Sequence, residues 1–173
     1  MKIAYVVLPV ALAGCALFGQ RESGLVSRPA GDEGMLLFTV GRLSFEGPAG
    51  WQAQGSARHV VLVSPHTDAR IDAQVMDRTF HSDRQCLAQA EDSLARGAGR
   101  FRNIRRHPTT LAGREALVQE ADEGAWHGWA WAVCDGGEQY RIFFTGHSPL
   151  DEEAVRASRL LASSVVLLRG PGA

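Results

Sequence analysis

The 173-residue sequence has no excess of positive charge and no recognisable catalytic motif. Its 18 Lys and Arg residues face 19 Asp and Glu residues, which gives a formal net charge of −1. A nucleic-acid-binding domain normally carries a basic excess, so this balance argues against one. Cys-x-x-Cys, His-Glu-x-x-His, Gly-x-Ser-x-Gly, phosphate-loop and dinucleotide motifs are all missing. The sequence therefore predicts no cofactor, no metal site and no catalytic residue.

The composition that is present is that of an ordered protein. Hydrophobic residues make up 45% of the chain and charged residues 21%. These proportions exclude a disordered or collagen-like polymer and fit one globular domain with a substantial core.

The N-terminal residues combine a lysine, a short apolar run and a cysteine. The run from Ile3 to Phe18 is 16 residues long, whereas a membrane-spanning helix needs about 20. Within it, Leu12-Ala13-Gly14-Cys15 resembles the lipobox of a bacterial lipoprotein signal peptide. The resemblance implies removal of residues 1–14 and attachment of acyl chains to Cys15. The alternatives are an ordinary signal peptide with a coincidental cysteine, or a buried N-terminal helix.

The residues after Cys15 indicate where the protein resides. An Asp directly after the cysteine would, by the same resemblance, retain a lipoprotein of enteric bacteria in the inner membrane. Ala16 stands there instead, so we expect the periplasmic side of the outer membrane. Residues 15–35, which comprise the lipidated cysteine and a segment of Gly, Ser, Pro and charges without periodicity, predict a flexible tether.

Residues 36–169 have the pattern of a single domain that is mostly β-structure. A capping box at Ser82 and Gln85 predicts a helix that ends near Arg96, and the acids after Ser148-Pro149 predict a second helix. This order predicts an α+β domain with a largely antiparallel sheet. Alternating apolar segments predict strands near residues 36–45, 59–64, 69–78, 101–107, 114–122, 126–134, 139–146 and 164–168.

Three short segments resemble PsbP-like proteins. They are Phe45-Glu46-Gly47-Pro48-Ala49-Gly50-Trp51, Leu111-Ala112-Gly113 and Leu161-Ala162-Ser163-Ser164-Val165. The resemblance covers about residues 40–168 and implies an α/β/α sandwich, in which helices cover both faces of a central, mainly antiparallel sheet. The family is mostly non-enzymatic and includes extrinsic photosystem subunits and bacterial lipoproteins. It therefore implies a fold and a binding role, with no catalytic residues.

Two cysteines remain once lipid is assigned to Cys15. In an oxidising compartment we expect Cys86 and Cys134 to form a disulfide. Cys86 shares a helix face with Ala90 and Leu94, while Cys134 shares a strand face with Ala130 and Ala132, so small side chains let the two elements approach. The alternative is two separate buried thiols.

Two groups of residues are candidates for binding. Trp126, Trp129 and Trp131 form either part of the core or, if their strand is uncovered, an apolar groove. Arg102, Arg105 and Arg106 lie in the main basic concentration, which predicts either a solvated edge strand or a contact for anionic headgroups or polysaccharide.

Two functional hypotheses follow from these observations. The first is a non-enzymatic, lipid-anchored periplasmic module that binds an envelope protein or an amphiphilic ligand. The second is a small envelope hydrolase with a His/Asp-based site that uses His66, Asp68 or His81.

Overall fold

The computed structural model of the protein describes residues 26–30 and 34–168. Cys15, the predicted signal peptide and most of the predicted tether lie outside these described residues. The elements, in chain order, are β1 (Val26–Pro29), β2 (Met35–Val40), β3 (Leu43–Pro48), β4 (Gln52–Ser56), β5 (His59–Val63), β6 (Arg70–Thr79), α1 (Asp83–Arg96), a 3-10 helix (Gly97–Arg100), β7 (Arg102–Leu111), β8 (Arg114–Glu123), β9 (Trp126–Asp135), β10 (Glu138–His147), α2 (Glu152–Ser164) and β11 (Val166–Leu167).

The strands form two antiparallel sheets. The main sheet has seven strands in the order β4-β5-β6-β10-β9-β8-β7, and the small sheet has four in the order β1-β2-β3-β11. Consecutive strands of the main sheet therefore lie mostly side by side, and β6 pairs with β10 across the excursion through α1 and three strands. Strands β4 and β7 are the two edges of the main sheet.

The main core lies between one face of the main sheet, its inner face, and a layer made of the small sheet and α2. Alternation along β6 buries Ile71, Ala73 and Val75 on this inner face, as the sequence predicts. Phe38 and Phe45 of the small sheet belong to the same buried cluster, with ring centroids 5.8 Å apart. Burial of these large side chains is the main force that holds the two layers together.

Helix α2 is attached to the core layer at its first turn. Asp151 caps it by accepting a hydrogen bond from the backbone N–H of Ala154 at 2.7 Å. The indole Nε1 of Trp51 donates to Oε1 of Glu153 at 2.5 Å. Trp51 thus fills the core with its ring while its polar edge joins the β3–β4 turn to the helix.

Helix α1 covers part of the opposite, outer face of the main sheet. The Oγ of Ser82 accepts a hydrogen bond from the backbone N–H of Gln85 at 3.2 Å, and the side chain of Gln85 accepts one from the N–H of His81. A disulfide joins Cys86 to Cys134 with the two Cα atoms 6.2 Å apart. Cys86 and Ala90 are fully buried against the sheet.

The structure confirms the predicted α+β class, with one helix on each face of the main sheet, and adds a second sheet. Strand β1 lies inside the segment predicted to be a tether, because Val26–Pro29 pairs with Leu36–Thr39 of β2. Strand β4 was also not predicted, because Gln52–Ser56 is polar and exposed at an edge and has no alternating pattern. Neither described helix has the length and apolar composition that a membrane-spanning helix needs.

We predict that the disulfide makes a large contribution to stability. Cys86 and Cys134 are 48 residues apart, and closing a loop of that length stabilises the folded state by about 4 kcal/mol in the chain-entropy treatment. Replacing both cysteines with Ala should lower the free energy of unfolding by roughly that amount, as measured by urea denaturation. The unsubstituted protein should lose a similar amount when it is reduced. Equal stability of the oxidised and reduced proteins would contradict the prediction.

Candidate functional site

A groove lies on the outer face of the main sheet, next to the C-terminal end of α1. It encloses a cavity of about 230 Å³. The groove exists because α1 ends at Arg96 and leaves the adjoining part of β8, β9 and β10 without a helix above it. Side chains that define it are Leu94, Phe101, Trp126, Ala130, Arg141 and Phe143.

The floor of the groove is made of small residues. Alternation places Ala121 of β8, together with Gly128 and Ala130 of β9, on the outer face. A Cβ atom on Gly128 would lie 2.5 Å from the carbonyl oxygen of Phe144, so this position requires glycine. Because these three positions carry almost no side chain, the sheet surface is concave here.

The walls of the groove are apolar and partly aromatic. Phe143 of β10 stands beside Ala130, its partner in the β9–β10 pairing. Trp126 begins β9 and is 37% exposed, which is unusual for so large an apolar residue. Leu94 of α1 and Phe101, which follows the 3-10 helix, complete the lining. Such walls suit the burial of an apolar ligand.

One cation, Arg141, stands among these apolar groups. Its Nε donates to Oε1 of Gln139 at 3.0 Å, and Nε2 of Gln139 donates to the carbonyl oxygen of Cys86 at 3.1 Å. Gln139 is only 1% exposed, so this chain of hydrogen bonds holds Arg141 in a fixed position. Burial lowers the pKa of the Arg141 guanidinium because it disfavours the charged form.

The other charged groups of the groove lie at its rim. Arg100 and Glu123 form an exposed ion pair with 3.4 Å between Nε and Oε1, and Arg100 also lies 5.0 Å from the ring centroid of Phe101. Gln119, which is buried at the floor, accepts a hydrogen bond of 3.0 Å from Nε of Arg106 on the edge strand. Arg100, Glu123 and Gln119 therefore each have a polar partner.

The structure divides the three predicted tryptophans between the two faces of the main sheet. Trp129 and Trp131 point to the inner face, where their rings stack with 6.5 Å between centroids and Trp131 is 8% exposed. Only Trp126 presents its ring to the groove on the outer face. Strand alternation separates positions 129 and 131 from 126, so the core alternative describes Trp129 and Trp131, and the groove alternative describes the surroundings of Trp126.

The three predicted arginines lie on β7, which is an edge strand as expected. A register shift between Arg102 and Arg105 interrupts the pairing with β8. Arg105 faces Glu120 at 3.9 Å, whereas Arg106 is half-buried against Gln119 on the other side of the sheet. They do not form a single basic stripe. Their contact with anionic headgroups remains a prediction.

The residues named for a hydrolase are not brought together. His66 and Asp68 lie in the turn before β6, whereas His81 follows its other end. A ten-residue strand spans about 33 Å, so the two groups are far apart.

A different histidine, His127, is surrounded by acids on the inner face. Its Nδ1 lies 2.6 Å from Oδ1 of Asp122, and its Nε2 lies 3.3 Å from Oε1 of Glu120. Hydrogen bonds from Asn103 and from His127 lower the pKa of the Asp122 carboxyl. Both ring nitrogens of His127 therefore face carboxylates. Within residues 26–30 and 34–168, no three His, Cys, Asp or Glu side chains form a metal-binding group.

Comparison with solved structures identifies the fold. The solution structure of a cyanobacterial PsbP, CyanoP from Synechocystis sp. PCC 6803, matches with a TM-score of 0.50 and 14% identity, over 90% of this chain and 98% of that chain. This chain has a PsbP-like fold. No protein-family model and no curated protein matches its sequence.

Two further solved structures are similar at lower scores. A protein from Bacteroides thetaiotaomicron has a TM-score of 0.46 and 9% identity, over 78% of this chain and 48% of that one. LpqN, which is involved in cell envelope biogenesis of Mycobacterium tuberculosis, has a TM-score of 0.49 and 12% identity, over 86% of this chain and 94% of that one.

The PsbP-like fold explains why Phe45–Trp51 carries the sequence resemblance. The segment ends β3 and turns into β4 through a 3.1 Å hydrogen bond from the N–H of Trp51 to the carbonyl oxygen of Pro48. Phe45 and Trp51 at its two ends are both core residues. The motif therefore forms the corner at which the chain passes from the small sheet to the main sheet.

Apart from Trp126, the residues that define the groove were not predicted from the sequence. A signal for them exists in β10, where Arg141, Phe143 and Thr145 alternate with the buried residues Tyr140, Ile142 and Phe144. This pattern shows a half-apolar outer face, but it does not show that α1 stops short of that face. The groove depends on where the helix ends over the sheet, which local sequence patterns do not encode.

Proposed function

We propose that this protein is a non-enzymatic binding module of the bacterial cell envelope that holds an apolar or amphiphilic ligand in the outer-face groove. The groove itself carries the proposal. It combines a concave floor of small residues with apolar walls from Leu94, Trp126 and Phe143. A surface of this kind gains free energy by removing hydrocarbon from water, at about 0.8 kcal/mol for each buried CH₂.

The envelope location in this proposal is supported by the N-terminal sequence. Leu12-Ala13-Gly14-Cys15 follows the pattern of a lipobox, and Ala16 favours the periplasmic side of the outer membrane. The Cys86–Cys134 disulfide fits an oxidising compartment such as the periplasm. Acyl chains on Cys15 would keep the domain close to the membrane, where amphiphilic ligands are concentrated.

A binding role is favoured over catalysis by the chemistry of the groove. Its polar side chains are arginines, a glutamate, a glutamine and hydroxyl groups, and His127, which borders it, turns its ring nitrogens to Glu120 and Asp122. Among these described residues no hydroxyl is paired with a base. These groups can orient a ligand and neutralise its charge. They do not provide a mechanism for breaking a bond.

Filling the groove should weaken the binding of an uncharged apolar probe. We expect Ala130→Phe and Ala121→Phe each to weaken the binding of N-phenyl-1-naphthylamine by about tenfold, because the added ring occupies the floor, and tenfold corresponds to about 1.4 kcal/mol. The measurement is a fluorescence titration of the unlipidated chain from Ala16 to Ala173. Ala53→Phe adds the same ring at an exposed position of β4 and should leave the affinity unchanged. Thermal unfolding of each variant checks that it is folded. Equal affinity in all variants would refute the groove as the binding site.

Lipidation at Cys15 is tested by the intact mass of the protein extracted from bacterial membranes. The expected mass is that of residues 15–173 plus acyl chains, because the signal peptidase cuts before a modified cysteine. Cys15→Ser should carry no acyl chains. A mass that includes residues 1–14 in the unsubstituted protein would overturn the proposed anchor.

A further inference from the structure

We propose that the ligand of the outer-face groove is a single-chain amphiphile with a monoanionic carboxylate head, which the guanidinium of Arg141 binds. The chain of this ligand would lie along the walls formed by Trp126, Phe143 and Leu94. This inference rests on the proposed binding function and specifies its ligand.

Arg141 has hydrogen-bond donors that no described side chain or backbone group accepts from. Its Nε is used by Gln139, and this is its only side-chain hydrogen bond within the described part of the chain. The two terminal amino groups therefore offer a pair of parallel donors, which is the geometry that a carboxylate accepts. Gln139 fixes the plane of the guanidinium through its own bond to the carbonyl oxygen of Cys86.

Arg141 has no counter-ion among the described residues. No carboxylate of the described residues lies within 4.0 Å of its guanidinium. Arg42 and Arg114, by contrast, share Asp135 at 2.8 and 2.6 Å. A half-buried cation without an anion is unfavourable, and burial lowers the pKa of Arg141 accordingly. A ligand carboxylate would remove this cost.

The net charge of the groove indicates how many charges the head group of the ligand carries. Arg100, Arg141 and Glu123 line the groove and together carry one net positive charge. A monoanion balances this charge. A dianionic phosphate would leave one negative charge unbalanced, and Glu123 would repel it more strongly than it repels a monoanion. The cavity of about 230 Å³ is small for a ligand site, so it suits one chain of moderate length rather than a two-chain lipid.

The experiment compares ligands that differ only in their head group. Isothermal titration calorimetry at pH 7.4 with the chain from Ala16 to Ala173 measures the affinities of decanoate, 1-decanol and decyl phosphate. We expect decanoate to bind about tenfold more tightly than decanol, which corresponds to about 1.4 kcal/mol, and more tightly than decyl phosphate.

Substitutions then assign this preference to one side chain. Arg141→Gln should reduce the decanoate-to-decanol ratio to about one. Arg141→Met, which keeps a chain of similar length, should do the same and should improve decanol binding. Arg159→Gln removes an equal charge from an exposed position of α2, a helix that does not line the groove, and should keep the ratio of the unsubstituted protein.

The outcomes separate this inference from the proposed function. Equal binding of decanoate and decanol, or a preference that survives in both Arg141 variants, would overturn the carboxylate assignment and leave the groove as a binding site for neutral amphiphiles. Tighter binding of decyl phosphate would overturn the monoanionic head group. Failure of all three ligands to bind would overturn both this inference and the proposed function.

Discussion

The close contact between α1 and β9 determines where the groove on the outer face of the main sheet lies. Cys86 and Ala90 of the helix meet Ala132 and Cys134 of the strand, and all four side chains are small and almost fully buried. The disulfide fixes one end of this contact with the two Cα atoms 6.2 Å apart. Because the helix is held near the Cys134 end of the strand and stops at Arg96, the other end of β9 is left open. The groove is a consequence of this placement.

The same contact also orients Arg141, the half-buried cation of the groove. The carbonyl oxygen of Cys86, in the first turns of α1, accepts a hydrogen bond from Gln139, and Gln139 in turn accepts one from Arg141. A buried glutamine thus transmits the position of the helix to the guanidinium. On the inner face of the sheet, the large apolar core holds the small sheet and α2 in place and takes no part in the groove. One face of the main sheet thus carries the main core, and the other carries the groove proposed for binding.

Much of the fold could be predicted from the sequence where local chemistry decides the structure. The capping residues Ser82 and Gln85 mark the start of α1 correctly, and the alternation of Ile71, Ala73 and Val75 identifies both β6 and its buried face. These patterns depend on neighbours in the chain. Strand β4 could not be predicted because its polar residues adopt strand geometry only through pairing with β5.

The site could be predicted only in part. Alternation along the predicted strand separates Trp129 and Trp131 from the face that carries Cys134. Whether each face is covered could not be predicted, because this depends on where α1 lies over the sheet. A role for Arg141 could not be predicted, because a lone arginine in a strand is ordinary until its surroundings are known. Its half-burial, its missing counter-ion and the nearby end of α1 are all properties of the tertiary structure.

The central claim is that ligand binds on the outer face, next to Arg141, and leaves the core face unaffected. The four tryptophan indole N–H signals of a ¹⁵N-labelled sample report on this directly, because Trp126 lies in the groove whereas Trp51 is bonded to Glu153 in the core. Titration with decanoate should shift the Trp126 indole signal and the Gly128 amide signal in a saturable way, with the Trp51 signal unchanged. A shift of the Trp51 or Trp131 signals without a shift of Trp126, or no shift of any signal, would contradict the account.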